Sequence, residues 1–168
     1  IYTINNYFNY KTSQYIKSKF NKFDFIFARN VIAHLNNPNP VFLGVRNLLK
    51  DNGIFILEVP HLLNIINKNQ YDNIFHEHVG FHSLKSVIDL CEINNLKVFN
   101  VEKISSQGGS LRCFICQNKS KKKVSKNIKK IIKIEKKNNL FSNKNLEKFK
   151  FRIINHSKNM NKLIKRLK

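Results

Sequence analysis

The chain has no tryptophan, one methionine, three cysteines, three prolines and five glycines in 168 residues. Three cysteines cannot form the disulfide framework that staples small secreted folds, and they fit a reducing, cytoplasmic setting. So few glycines and prolines exclude a collagenous or low-complexity texture. No run of ~18 apolar residues occurs, so no membrane span is expected. The opening residues, IYTINNYFNY, lack a basic start and a continuous apolar stretch, and no signal peptide is expected. The chain starts at Ile1 and stops at Lys168 inside an amphipathic pattern, so a fragment is expected, monomeric and about one domain long.

Acidic residues are also scarce, 10 against 31 Lys and Arg, for a formal charge of +21. A basic protein invites a nucleic-acid reading. The imbalance is local, however. Residues 1–118 hold 12 basic and 8 acidic side chains, whereas 119–168 hold 19 and 2. Asn, Ile and Lys abound throughout and Arg is rare, the bias of an AT-rich genome. Composition plus a solvated helix face is preferred to an electrostatic role, and no specific nucleic-acid site is expected.

Cys113 and Cys116 form a C-x-x-C within LRCFICQ. That segment reads as a strand, where positions three apart face opposite sides, so the two thiols do not converge on zinc. Core cysteine is the better reading.

What is present alternates. KFDFIFAR (22–29) and IFILEV (54–59) read as buried strands. Between them, Asn39 as cap, Pro40 at the first position, and Val41, Phe42, Val45, Leu48 and Leu49 at helical spacing predict a helix that Gly53 closes. Ser83 predicts a second cap, ahead of Leu84, Val87, Ile88 and Cys91 on one face. LKVFNVEKIS (96–105) and GSLRCFICQ (109–117) read as two more strands turning at Gly108-Gly109. Upstream, TINNYF (3–8) fits a strand and SQYIKSKF (13–20) a helix. Such alternation predicts an α/β fold with a mainly parallel sheet, the terminal pair supplying an antiparallel edge strand. Ligands of such sheets bind beyond the carboxyl ends of the strands.

From about Ser120 the texture changes. Ile128, Ile131, Ile132 and Ile134, then Leu146, Phe149, Ile153, His156, Met160, Leu163 and Leu167, mark amphipathic helices expected to pack on their own protein, in preference to a coiled-coil partner or an acidic membrane surface. The expected division is 1–118 for the sheet domain and 119–168 for a basic helical segment.

Three stretches carry a resemblance: FDFIFARNVIAHLNNPNPVF, IFILEVPHLLNIINKNQYDNIFHEH and KVFNVEKISSQGGSLR. They resemble the C-methyltransferases that act on nucleotide-linked keto-deoxysugars, which are class I S-adenosylmethionine (SAM) enzymes. The likeness is strongest over Phe23 to Arg112, where EVPH, NQ-aromatic-D, HEH and GGSLR occur in the family's order. It implies the later half of a Rossmann-like SAM fold with an antiparallel edge hairpin, then the helical approach to a C-terminal domain. The family's zinc-binding domain and glycine-rich SAM loop would precede this chain.

The resemblance also implies roles. His78, the second histidine of HEH, would abstract the proton next to the ketone, a task suited to a group titrating near neutrality. Glu77 would orient or polarise the sugar, with His76 in support. Phe75 stands where the family usually has tyrosine. Phe8, Asn9, Asn30 and His34 would lie on SAM. Glu58, His61, Asn69, Tyr71, Gly108, Gly109 and Ser110 would lie on the nucleotide sugar. No metal is expected: His76 and His78 share a face of an extended segment, and His61 or His82 could join them, but H-x-H alone is a weak metal signal. The competing readings are an O- or N-methyltransferase of a small metabolite and a basic nucleic-acid module.

Overall fold

The protein is described by a computed structural model that covers residues 1–167; Lys168, the last residue of the expected basic segment, lies outside the described residues. Residues 1–9 form no strand, so the one expected over TINNYF is not there. Instead Asn9 Oδ1 accepts from the Thr12 amide at 3.0 Å and starts helix α1, Tyr10–Phe20. An Asn cap satisfies one of the donors that a helix start leaves open.

Strand β1, Phe23–Arg29, follows. It alternates rather than being buried throughout, with Phe25 57% and Phe27 68% exposed. An unbroken apolar run reads as buried on both faces, yet among the described residues β1 is an edge strand with one partner. A single turn over Ile32–His34 leads to helix α2, Asn39–Leu48. Pro38 rather than Asn39 holds the cap position, with no side-chain capping bond; Asn39 is the first helical residue, and its amide donates to Asn37 Oδ1 at 3.0 Å. Gly53 does not close the helix, because strand β2, Leu49–Pro60, begins directly after Leu48. Gly53 serves a close approach instead. A Cβ there would meet Leu49 Cδ1 at 2.8 Å and the Phe23 carbonyl oxygen at 3.0 Å.

Helix α3, Leu62–Asn67, and a turn at Tyr71–Asn73 open a long connection. Helix α4, Leu84–Ile93, ends it, started by a Ser83–Ser86 capping box as the serine predicted. Strands β3, Leu96–Ile104, and β4, Ser110–Gln117, form the hairpin. The four strands order as β1-β2-β4-β3. β1 and β2 are parallel, and β4 opposes both its neighbours. The hairpin does lie at the sheet edge, but the strand that runs against the others is the inner one. A tight turn fixes only that two strands oppose, not which of them faces outward.

Phe42 and Phe55 meet edge to face at 5.8 Å in a core continued by Leu57, Leu111 and Ile115. Each fully buried side chain of this size contributes about 1.5–3 kcal/mol. Helix α5, Lys126–Lys137, buries Ile128 and Ile131 in the same core. A second cluster joins Leu63, Ile65 and Ile66 of α3 to Leu140 and to Phe149 of helix α6, Asn143–Leu167. Only Phe149 of α6 is buried, while Leu146, Met160, Leu163 and Leu167 are exposed. The expectation that the whole apolar stripe packs on its own protein therefore holds only near Phe149. No helix among the described residues is long and apolar enough to cross a membrane.

Candidate active site

Since β4 alone runs against the other strands, three connections emerge at one end of the strands, the carboxyl end of β1, β2 and β3: residues 30–38 after β1, 61–83 after β2, and the turn at 105–109. Most of the residues suggested by the sequence lie there, in three groups, while Phe8 and Asn9 stand at the start of α1.

The first group is built on His78. Its Nδ1 lies 2.8 Å from the Asn73 carbonyl oxygen. A carbonyl only accepts, so Nδ1 carries a hydrogen, and in the neutral imidazole Nε2 is then the acceptor. Nε2 makes no hydrogen bond among the described residues. The rings of Phe75 and His34 lie against the imidazole, at 4.1 and 4.8 Å between centroids. His34 Nδ1 donates to the Glu77 carbonyl at 3.1 Å, and the amides of Val79 and Gly80 donate to the Ala33 carbonyl at 2.9 and 3.0 Å. Residues 75–80 are thus fastened onto the connection after β1. Glu77 contributes its backbone to this fastening, while its exposed carboxylate lies 3.8 Å from Nε2 of the largely exposed His76. Asn30, at φ 53°, donates its amide to the Glu58 carbonyl at 3.1 Å.

The second group is ionic. Glu58 Oε1 accepts from Arg112 Nε at 2.7 Å, and Oε2 lies 3.2 Å from Arg29 Nε. Arg29 also donates to Ser106 Oγ at 3.1 Å. Both oxygens of Glu58 are thereby committed.

The third group fastens the β3–β4 turn. Lys68 Nζ and Gln70 Nε2 donate to the Gly108 carbonyl at 2.7 and 3.3 Å, and Asn64 Nδ2 to that of Gly109 at 3.1 Å. Gly108 and Gly109 have positive φ, 73° and 124°. Two buried acceptors beside this turn, Asn69 Oδ1 and Gln70 Oε1, have no partner among the described residues. Tyr71 reaches outward, its hydroxyl 2.8 Å from His156 Nδ1 on α6.

Four expected ligand contacts are spent on structure. The His61 ring is fully buried, its Nε2 donating to Glu135 Oε1 at 2.8 Å. Ser110 is buried and donates its hydroxyl to the Ser106 carbonyl at 2.8 Å. Asn9 caps α1, and Phe8 packs against the core beneath Gly44. No three His, Cys, Asp or Glu side chains among the described residues gather as a metal site would need.

Sequence reasoning missed Arg29, Arg112, Lys68, Gln70 and Glu135. For Glu135 a signal existed. It follows Ile128 and Ile131 at helical spacing, an acid on the apolar stripe of a segment with only 2 acids. It is 3% exposed.

Residues 4–101 match the family described as methyltransferase domain. The chain belongs to this methyltransferase family. Residues 105–168 match the C-methyltransferase C-terminal domain. The family resemblance read from the HEH and GGSLR elements is borne out at this level. The C-methyltransferase NovU of Streptomyces niveus is 38% identical over 89 residues, which are 53% of this chain and 21% of that protein. The match thus spans about a fifth of that curated relative. Two solved structures share part of the outline. A SAM-dependent methyltransferase from Methanosarcina mazei has a TM-score of 0.42 and 12% identity, covering 57% of this chain and 60% of that one. Magnesium protoporphyrin IX methyltransferase from Synechocystis, with bound SAH, has a TM-score of 0.41 and 13% identity, covering 56% and 44%. Such partial likenesses carry no argument about the site. In this methyltransferase the second family match begins at residue 105, so the segment it covers supplies β4, the inner strand of the sheet.

Proposed function

We propose that this chain is part of a SAM-dependent C-methyltransferase acting on a nucleotide-linked keto-deoxysugar, with His78 as the base that removes the proton next to the ketone. The observation that carries this reading is the Nδ1 bond to the Asn73 carbonyl, which leaves Nε2 as the proton acceptor at a fixed point of the loop. Phe75, its ring tilted against the imidazole at 4.1 Å, keeps the ring of the family's usual tyrosine and limits how far His78 can swing.

The residues after β1 fit one edge of the cofactor. Asn30 is half-buried and makes no side-chain hydrogen bond among the described residues, and His34 bridges to the His78 loop. Phe8 and Asn9, committed elsewhere, are not part of that fit. When bound, SAM supplies an electrophilic methyl group. The chain's own work is to take the proton onto His78 Nε2 and to hold the sugar still. Asn69 Oδ1 and Gln70 Oε1, acceptors in want of donors, suit the hydroxyls of a sugar. Lys68, near the same turn, brings a positive charge that suits a diphosphate or a developing enolate oxygen. The match to a C-methyltransferase C-terminal domain supports carbon over oxygen or nitrogen as the acceptor. Three buried reduced thiols suit the cytoplasm.

The test is transfer of labelled methyl from SAM by the whole protein to nucleotide-linked keto-deoxysugars. His78→Ala should lower turnover by about 10²–10⁴-fold and leave SAM affinity nearly intact. Full turnover by that variant would remove His78 from the chemistry.

A further inference from the structure

The connection that carries His78 runs from the end of β2 to the start of α4, and its two ends meet. His61 and His82 form an isolated parallel bridge, and the Leu62 amide donates to the His82 carbonyl at 2.9 Å. One side chain from outside the connection binds both ends. Glu135 Oε1 accepts from His61 Nε2 at 2.8 Å and from the Leu84 amide at 2.7 Å, while Oε2 accepts from the Lys85 amide at 3.3 Å.

These donors are not arbitrary. Leu84 and Lys85 begin α4, where amides have no partner within the helix. The Ser83 hydroxyl accepts from the Ser86 amide and leaves these two to Glu135. A carboxylate is also favoured at a helix start by the helix dipole. Yet burying a carboxylate costs more than burying the leucine that would fill the same stripe. An acid at this place secures position rather than bulk.

We infer that Glu135 is a positioning residue for His78: by bonding both ends of the 61–84 connection, it fixes where that loop closes and hence where the imidazole stands. The inference rests on the reading of His78 as the base. His78 stands four residues before His82, at the closing end of this loop. The loop folds back on itself through the His78–Asn73 bond and is fastened to the Ala33 carbonyl by Val79 and Gly80. A shift at its ends must be absorbed by those bonds. Misplacing a reacting group by about 1 Å can cost on the order of 10²-fold in rate. Glu135 belongs to the segment that matches the C-methyltransferase C-terminal domain, so that part of the chain sets the geometry of the loop.

The test compares Glu135→Ala, Glu135→Gln and His78→Ala in the full-length protein. Three readouts are followed: amide hydrogen exchange, the nitrogen NMR shifts of His78, and methyl transfer from SAM to a dTDP-linked 4-keto-6-deoxyhexose. Glu135→Ala should speed exchange across 74–84 by on the order of tenfold or more while sheet amides at 54–59 and 111–116 hold. His78 should lose its fixed Nδ1–H form, and kcat should fall by on the order of 10²-fold with KM nearly unchanged. Glu135→Gln, which still offers Leu84 an acceptor, should restore most of each. Unchanged loop exchange and kcat in Glu135→Ala overturn the inference. So does faster exchange in the sheet to the same degree as in the loop, which would make Glu135 a general stabiliser. If instead His78→Ala keeps transfer while Glu135→Ala loosens the loop, the base reading falls and the tether stands.

Discussion

Adding one methyl group at Gly109 probes how the β3–β4 turn is fastened to the connection beside it. Gly109 sits at φ 124° and ψ 109°, a conformation that L side chains avoid. Holding an alanine there costs about 1–3 kcal/mol. The new Cβ would lie 2.3 Å from Asn64 Nδ2, so Asn64 must move. That move breaks its 3.1 Å bond to the Gly109 carbonyl, a further loss of about 0.5–1.5 kcal/mol. Gly109→Ala should therefore destabilise by about 1.5–4.5 kcal/mol, a large part of the 5–15 kcal/mol typical of a domain. Gly108→Ala should cost less. Its φ of 73° is near the left-handed region, which costs about 1–2 kcal/mol, and the obstructing Gln70 amide is the far end of a flexible side chain. Urea titrations followed by circular dichroism should show both midpoints falling with an unchanged slope, Gly109→Ala the further. A Gly109→Ala shift within about 0.5 kcal/mol of zero, or the reverse ranking, would refute this reasoning.

Other consequences concern the thiols, His82 and the basic tail. Burial pushes the Cys113 thiol up to about 12 and raises Cys91 and Cys116 as well, so iodoacetamide near neutral pH should label none of them until the chain is unfolded; prompt labelling of Cys113 would contradict its place in the core. Burial lowers the His82 pKa below its ordinary 6.5, so the unfolded chain binds the proton first and stability should fall as pH drops through 6.5, by at most about 1.4 kcal/mol per pH unit. His82→Gln should flatten that acid limb in urea titrations; an equally steep limb would mean that another group titrates. DNA binding by the 19 basic residues of 119–168 should be weak, sequence-blind and steeply salt-dependent, and a preferred sequence that survives physiological salt would contradict it.

The elements that could be read from the sequence are those with local chemistry. Ser83 before an apolar face announces α4, and the hairpin of β3 and β4 follows from two β-rich runs around glycines. What could not be read depends on neighbours. Phe25 and Phe27 look like core until the strand proves to lie at an edge. Gly53 looks like a helix stop until the Phe23 carbonyl is found against it. The histidines divide in the same way. His78 stands out in the sequence through the company it keeps in HEH, whereas nothing near His61 in sequence reveals Glu135, 74 residues away. Ser110 and Asn9 carry polar groups that any loop reading would offer to a ligand, and the fold spends them on a turn and a cap.

The most direct measurement is exchange of the substrate's acidic proton with deuterated water in the absence of SAM, because it reports abstraction alone. With the whole protein, His78→Ala should slow this exchange by about 10²–10⁴-fold, and His76→Ala, whose ring is largely exposed, should slow it less. Exchange at the normal rate in His78→Ala, with exchange abolished in His76→Ala, would contradict the assignment of the base.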